Sequence, residues 1–66
     1  MRLTVNGRDF SAEAELSVEA LVESLTEARR GVAVAVNGTV VPRSTWARVP
    51  LADGDAVEVL TAAQGG

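Results

Sequence analysis

The sequence predicts an α+β fold, with one helix packed on a mixed sheet of four to five strands. Three observations carry this reading. Alternating apolar residues open and close the chain, at Leu3 and Val5 and again at Val57 and Val59. Two Asn-Gly dipeptides, Asn6-Gly7 and Asn37-Gly38, follow strand-like runs. Between them lies one segment with helical apolar spacing and a capping residue in front of it.

Residues 2–5 alternate outward and inward, as a half-buried strand does. Asn6-Gly7 is the preferred dipeptide of a type I′ hairpin turn, because both central positions need positive φ. A second strand is expected to return through Arg8 to about Glu13, with Phe10 and Ala12 facing the core. The helix follows. Ser17 is its N-cap, with Leu16 and Leu21 placed as a hydrophobic staple. Glu19 sits in the first turn, where the helix dipole favours an anion. Val18, Leu21, Val22, Leu25 and Ala28 form one apolar stripe. Arg29 and Arg30 are expected to close the last turn, with Gly31 as the C′ residue. Glu19, Glu23 and Glu27 line up at i, i+4 spacing. A solvated face is the ordinary role of such a line, and a docking face for a basic partner is the alternative.

Val32-Ala33-Val34-Ala35-Val36 is the strongest strand signal in the chain. Its all-Val and all-Ala faces suit burial on both sides, as in a central strand. Asn37-Gly38 turns the chain into Thr39-Val40-Val41, and Pro42, having no N–H, ends that ladder. The segment Arg43–Arg48 holds the single Trp. Trp46 reads as an anchor for its own loop, against the alternative of a partner-facing aromatic. Asp53-Gly54-Asp55 is a tight turn; it lacks the further carboxylates of an EF-hand calcium loop. The last strand, Ala56–Leu60, points Val57 and Val59 inward. That leaves Leu60 outward just before the end of the chain, a candidate contact residue.

The order β-β-α-β-β-β in about 60 residues fits the β-grasp, or ubiquitin-like, fold. There the last strand lies beside the first, parallel to it, in the middle of the sheet. The expected organisation is a domain over residues 1–61 and a tail over residues 62–66.

Composition narrows the chemistry. The 66-residue chain contains no Cys and no His. A thiol nucleophile, a thiolate metal site and the usual neutral-pH base are therefore absent. All basic residues are Arg, with no Lys, and the formal net charge is −3. Nucleic-acid binding normally needs a basic face, so none is expected. MRLTVNGRDF breaks at Asn6-Gly7 and forms no signal-peptide core, and no run is long enough to span a bilayer. A cytoplasmic protein with no membrane partner is the expectation.

The chain ends on Ala62-Ala63-Gln64-Gly65-Gly66. With side-chain catalysis unsupported, the α-carboxylate of Gly66 is the remaining reactive group, ionised at neutral pH. A carboxylate becomes an acyl donor once it attacks the α-phosphate of ATP and forms an acyl-adenylate. Glycines suit that role, since a tail without Cβ atoms threads a narrow partner site. By chance a terminal Gly pair occurs in about one chain in 200, so the pair alone discriminates weakly.

VNGTVVPRSTW (Val36–Trp46) and LADGDAVEV…QGG (Leu51–Gly66) resemble the sulfur carriers of thiamine biosynthesis, the ThiS family. The VPRSxW stretch, Val41 to Trp46, discriminates best. The Asp53-Gly54-Asp55 turn and the Gly-Gly end also occur in molybdopterin sulfur carriers. The resemblance implies that an E1-like adenylyltransferase adenylates Gly66 with ATP, no cofactor being held by the carrier itself. Sulfur that originates from cysteine, through a desulfurase, then makes a terminal thiocarboxylate, and thiazole synthase consumes it. Gly65 and Gly66 carry over directly. Many members have an apolar residue where this chain has Gln64, which leaves the chemistry intact and bears on the tail contacts; Leu60, Ala62 and Gln64 stand as candidate partner contacts. The carrier is then a co-substrate and the partners are the enzymes. The alternatives are the small sulfur-carrier subunit of molybdopterin synthase, another ubiquitin-like sulfur carrier, a protein-conjugating tag, or a plain β-grasp interaction domain. Length and PRSxW favour the thiamine branch.

Overall fold

A computed structural model describes residues 1–12, 14–27 and 30–62 of the chain. Strands β1 (Arg2–Val5) and β2 (Arg8–Ser11) form the opening hairpin, followed by helix α1 (Val18–Leu25). Strands β3 (Val32–Val36) and β4 (Thr39–Val40), a 3-10 helix over Arg43–Arg48, and strand β5 (Ala56–Thr61) complete the order. The strands make one five-stranded sheet in the order β2-β1-β5-β3-β4. Strand β5 is central, parallel to β1 and antiparallel to β3. This is the β-grasp arrangement expected from the element order.

Both Asn-Gly turns have the backbone their composition demands. Asn6 and Gly7 stand at φ 52° and 81°, Asn37 and Gly38 at 52° and 85°. Positive φ at both central residues matches the turn's twist to that of the flanking strands. Beyond β1 and β2 the hairpin ladder gains one more pair. The Met1 ammonium donates to the Ala12 carbonyl, and the Ala12 N–H donates to Met1 O, both at 2.9 Å.

The helix begins where its sequence signals it. Ser17 Oγ accepts the Ala20 N–H at 3.0 Å, satisfying one of the first-turn donors. Val18, Leu21 and Val22 are buried. Its end differs from the sequence expectation. The helix stops at Leu25, and Thr26 takes an extended conformation while its N–H closes on Val22 O. Two local features oppose continuation: Thr26 is β-branched, and the Ser24 hydroxyl donates back to Leu21 O. Leu25, expected on the buried stripe, is 42% exposed. Arg30 therefore lies beyond the helix. Gly31 has positive φ, 70°, but serves the crossover into β3 and not a helix C′ position. Ala28 and Arg29 lie outside the described residues.

One helix covers one face of the sheet. Leu3, Val5, Val34, Val57 and Val59 meet Val18, Leu21 and Val22 in a single aliphatic core. Full burial of each such side chain contributes about 1.5–3 kcal/mol. The Ala face of β3 departs from the expectation of two-sided burial: Ala33 is exposed and Ala35 half-buried. Among the described residues no second α-helix covers that side.

Trp46 closes the core at the edge and is 5% exposed. Its indole N–H donates to Val41 O at 2.9 Å, so the buried ring keeps its polar atom satisfied. The Arg43 guanidinium lies 5.6 Å from the ring centroid, at cation–π distance. Trp46 thus anchors the 3-10 segment against α1, the first of the two readings its sequence allowed. Val18 N–H to Val49 O, Leu51 N–H to Leu16 O and a Ser17–Pro50 bridge tie the following loop to the start of the helix.

Candidate functional site: the exit of the last strand

The described residues end just past β5, and both flanks of that strand are held. Toward β3 the register runs from Val36↔Val57 to Val32↔Thr61. Past the strand, Ala62 N–H donates to the carbonyl of Gly31. Toward β1 the pairing is short, covering only Thr4↔Ala56 and Val5↔Val57. Asn6 extends it. Its backbone N–H donates to Val57 O at 2.9 Å. Its carboxamide then takes the Val59 N–H at 2.8 Å and donates to Val59 O at 3.1 Å.

The start of β5 is held in the same manner by the other turn. Asn37 Oδ1 accepts the Ala56 N–H at 3.0 Å, and its Nδ2 donates to Asp55 Oδ1 at 2.9 Å. Asp55 Oδ2 also accepts the Ala52 N–H, and Asp53 Oδ1 accepts the Arg2 N–H. The two carboxylates of the Asp-Gly-Asp turn are therefore engaged with backbone donors, which is the turn reading of that motif. The second role of the two asparagines was not visible in the sequence; the repeated Val-Asn-Gly triplet at 5–7 and 36–38 is the only trace of it.

Strand alternation places Val57 and Val59 in the core and Glu58 and Leu60 on the uncovered face. Leu60 is 66% exposed and stands opposite Ala33, while Ala35 stands opposite Val40, itself 71% exposed. An apolar strip thus crosses the uncovered face and reaches the exit of β5. Leu60 was legible as an outward residue; Val40 and the two alanines join it only through the pairing of three strands. Glu19 and Glu23 are exposed on α1, while Glu27, expected on the same helical line, lies past the helix end at Leu25; all three line a groove with Arg43 and Trp46. Of the other candidate residues, Ala62 is exposed, and Gln64, Gly65 and Gly66 lie outside the described residues.

The family model described as the ThiS family matches residues 3–66. The chain belongs to the ThiS family. Its relatives include the sulfur carrier protein ThiS of Escherichia coli, 32% identical over 66 residues that span both chains completely. It is also 39% identical to a stretch of a protein from Paramagnetospirillum magneticum named thiazole synthase. The ThiS-family chain spans only 20% of that protein's length. Among solved structures, the crystal structure of the thiamine biosynthesis protein ThiS from Geobacter metallireducens is 38% identical. It superposes with a TM-score of 0.82 over the whole of both chains. The solution structure of the protein from that organism gives 0.83, covering 88% of its chain. Among the described residues, no helix is long and apolar enough to cross a membrane.

Proposed function

We propose that this ThiS-family chain is a sulfur carrier of thiamine biosynthesis that works through the carboxylate of Gly66. The observation that carries the reading is the family match over residues 3–66, which takes in Gly65 and Gly66. In this reading residues 1–61 are the body and 62–66 the reactive tail. An E1-like adenylyltransferase binds the body and ATP. The Gly66 carboxylate attacks the α-phosphate, pyrophosphate leaves, and an acyl-adenylate forms. A persulfide on a partner, carrying sulfur that a desulfurase took from cysteine, adds to the acyl carbon and expels AMP. A thiol then attacks the partner's sulfur in the resulting acyl disulfide, becomes oxidised to a disulfide with it, and releases the acyl-bound sulfur. The product is a thiocarboxylate, whose sulfur a thiazole synthase incorporates into the thiazole ring.

In this reading the partners supply the acid, base and metal ligands for these steps. Its part is recognition and presentation. The uncovered face, with Leu60 and Val40 exposed, is where the body offers apolar contact next to the tail. That a protein named thiazole synthase contains a stretch similar to this chain supports a thiazole synthase as sulfur acceptor. Two measurements test the reading. Intact mass spectrometry of the protein from its own cells is expected to find a fraction heavier by the difference between sulfur and oxygen. A thiazole-formation assay with this carrier as sole sulfur source is expected to yield product. A terminus that stays a plain carboxylate with ATP, activating enzyme and sulfur donor all present overturns it.

A further inference from the structure

Asn6 and Gly31 hold the end of β5 and the residue after it from opposite sides, and the turn alone does not require the Asn6 side chain. A type I′ turn requires only positive φ at residue 6, which Gly supplies without strain. The carboxamide of Asn6 does something more: it presents one acceptor and one donor to Val59, as a peptide unit of a longer β1 would. On the other flank the Gly31 carbonyl receives the Ala62 N–H. A Cβ at Gly31 would lie 2.9 Å from the Ala62 Cβ, and the backbone there has φ 70°. Any side chain at 31 would push Ala62 away from the sheet.

We infer that Asn6 and Gly31 are positioning residues for the terminal carboxylate: a two-sided clamp that sets where and in which direction the chain leaves the body. The inference rests on the reading of Gly66 as the adenylated group. Its physical content is orientation: β5 stays paired with β3 through Thr61 when the hold of Asn6 or Gly31 is lost, so the body remains folded while the end of the strand loses its fixed direction. Misdirection of the acyl group is expected to cost about three- to tenfold.

Asn37 provides the internal control. It occupies the same turn position, and its carboxamide bonds the same strand, but at Ala56, the end remote from the exit. The test measures ATP–pyrophosphate exchange by the E1-like adenylyltransferase from the source organism. Its substrates are the wild-type chain, Asn6→Gly, Gly31→Ala and Asn37→Gly, each checked by thermal melting. Docking of the body sets KM and presentation of the tail sets kcat. Asn6→Gly and Gly31→Ala are expected to lower kcat about three- to tenfold with KM within about twofold. Asn37→Gly is expected to leave both within about twofold. Equal kcat for Asn6→Gly and Asn37→Gly, or a loss confined to KM, overturns the positioning role. If Gly31→Ala does not fold, the Asn6 and Asn37 pair decides alone. A wild-type chain that is not adenylated overturns the functional reading and the positioning role with it. A wild type that is adenylated beside an unimpaired Asn6→Gly overturns only the latter.

Discussion

The carboxamide of Asn6 bonds the backbone of Val59 twice, at 2.8 and 3.1 Å, across 53 positions of sequence. A turn residue near the start of the chain thereby extends the β1 side of the sheet toward the end of β5. Net contributions of about 0.5–1.5 kcal/mol per hydrogen bond put the loss in Asn6→Gly at about 1–3 kcal/mol. Hydrogen exchange read by NMR is the sensitive probe. The Val59 amide is expected to exchange faster in Asn6→Gly and to keep its wild-type rate, relative to global unfolding, in Asn37→Gly.

The side chain of Leu60 is exposed on the uncovered face and outside the core. Leu60→Arg is expected to shift stability by no more than about 0.5 kcal/mol. In ATP–pyrophosphate exchange it is expected to raise KM about tenfold or more, because a charge would be carried into an apolar contact. An unchanged KM would remove Leu60 from the partner interface.

Deleting Gly66 separates chemistry from folding in the other direction. Adenylation is expected to disappear while the melting temperature stays nearly constant, since chain termini add little to a domain's stability. A large drop in melting temperature would mean that the terminus packs on the body.

Trp46 carries a different weight. Truncating a buried aromatic costs about 3–5 kcal/mol, comparable to the whole stability expected of so small a core. Trp46→Ala is therefore expected to be largely unfolded at 25 °C by circular dichroism. Trp46→Phe keeps most of the packing but leaves the Val41 carbonyl without its indole donor, with a loss of about 1–3 kcal/mol in urea titration.

At the helix start, Ser17→Ala is expected to cost about 0.5–2 kcal/mol, because the Ala20 N–H loses its acceptor. The same titration measures it.

What the sequence by itself determined is local. Alternation at residues 2–5 and 56–60, the two Asn-Gly turns and the Ser17 cap each act over a few residues, and each is found where those residues require it. Local chemistry also singled out Leu60 and Trp46, one left outward by strand alternation, the other an aromatic that needs both burial and a hydrogen-bond acceptor. The resemblance of Val36–Trp46 and Leu51–Gly66 to ThiS carriers pointed to the family through residue identity alone. Tertiary structure decided the rest. The apolar spacing runs on past Leu25, yet the helix ends there and the residues after it cross to β3. The Ala face of β3 stays open, because burial depends on what else the chain has to lay against it. Most of all, the hold on β5 comes from residues remote in sequence: Asn6 on Val59 and Gly31 on Ala62. A turn dipeptide specifies its own φ angles; which backbone its side chain then completes is settled only when β1 and β5 lie side by side.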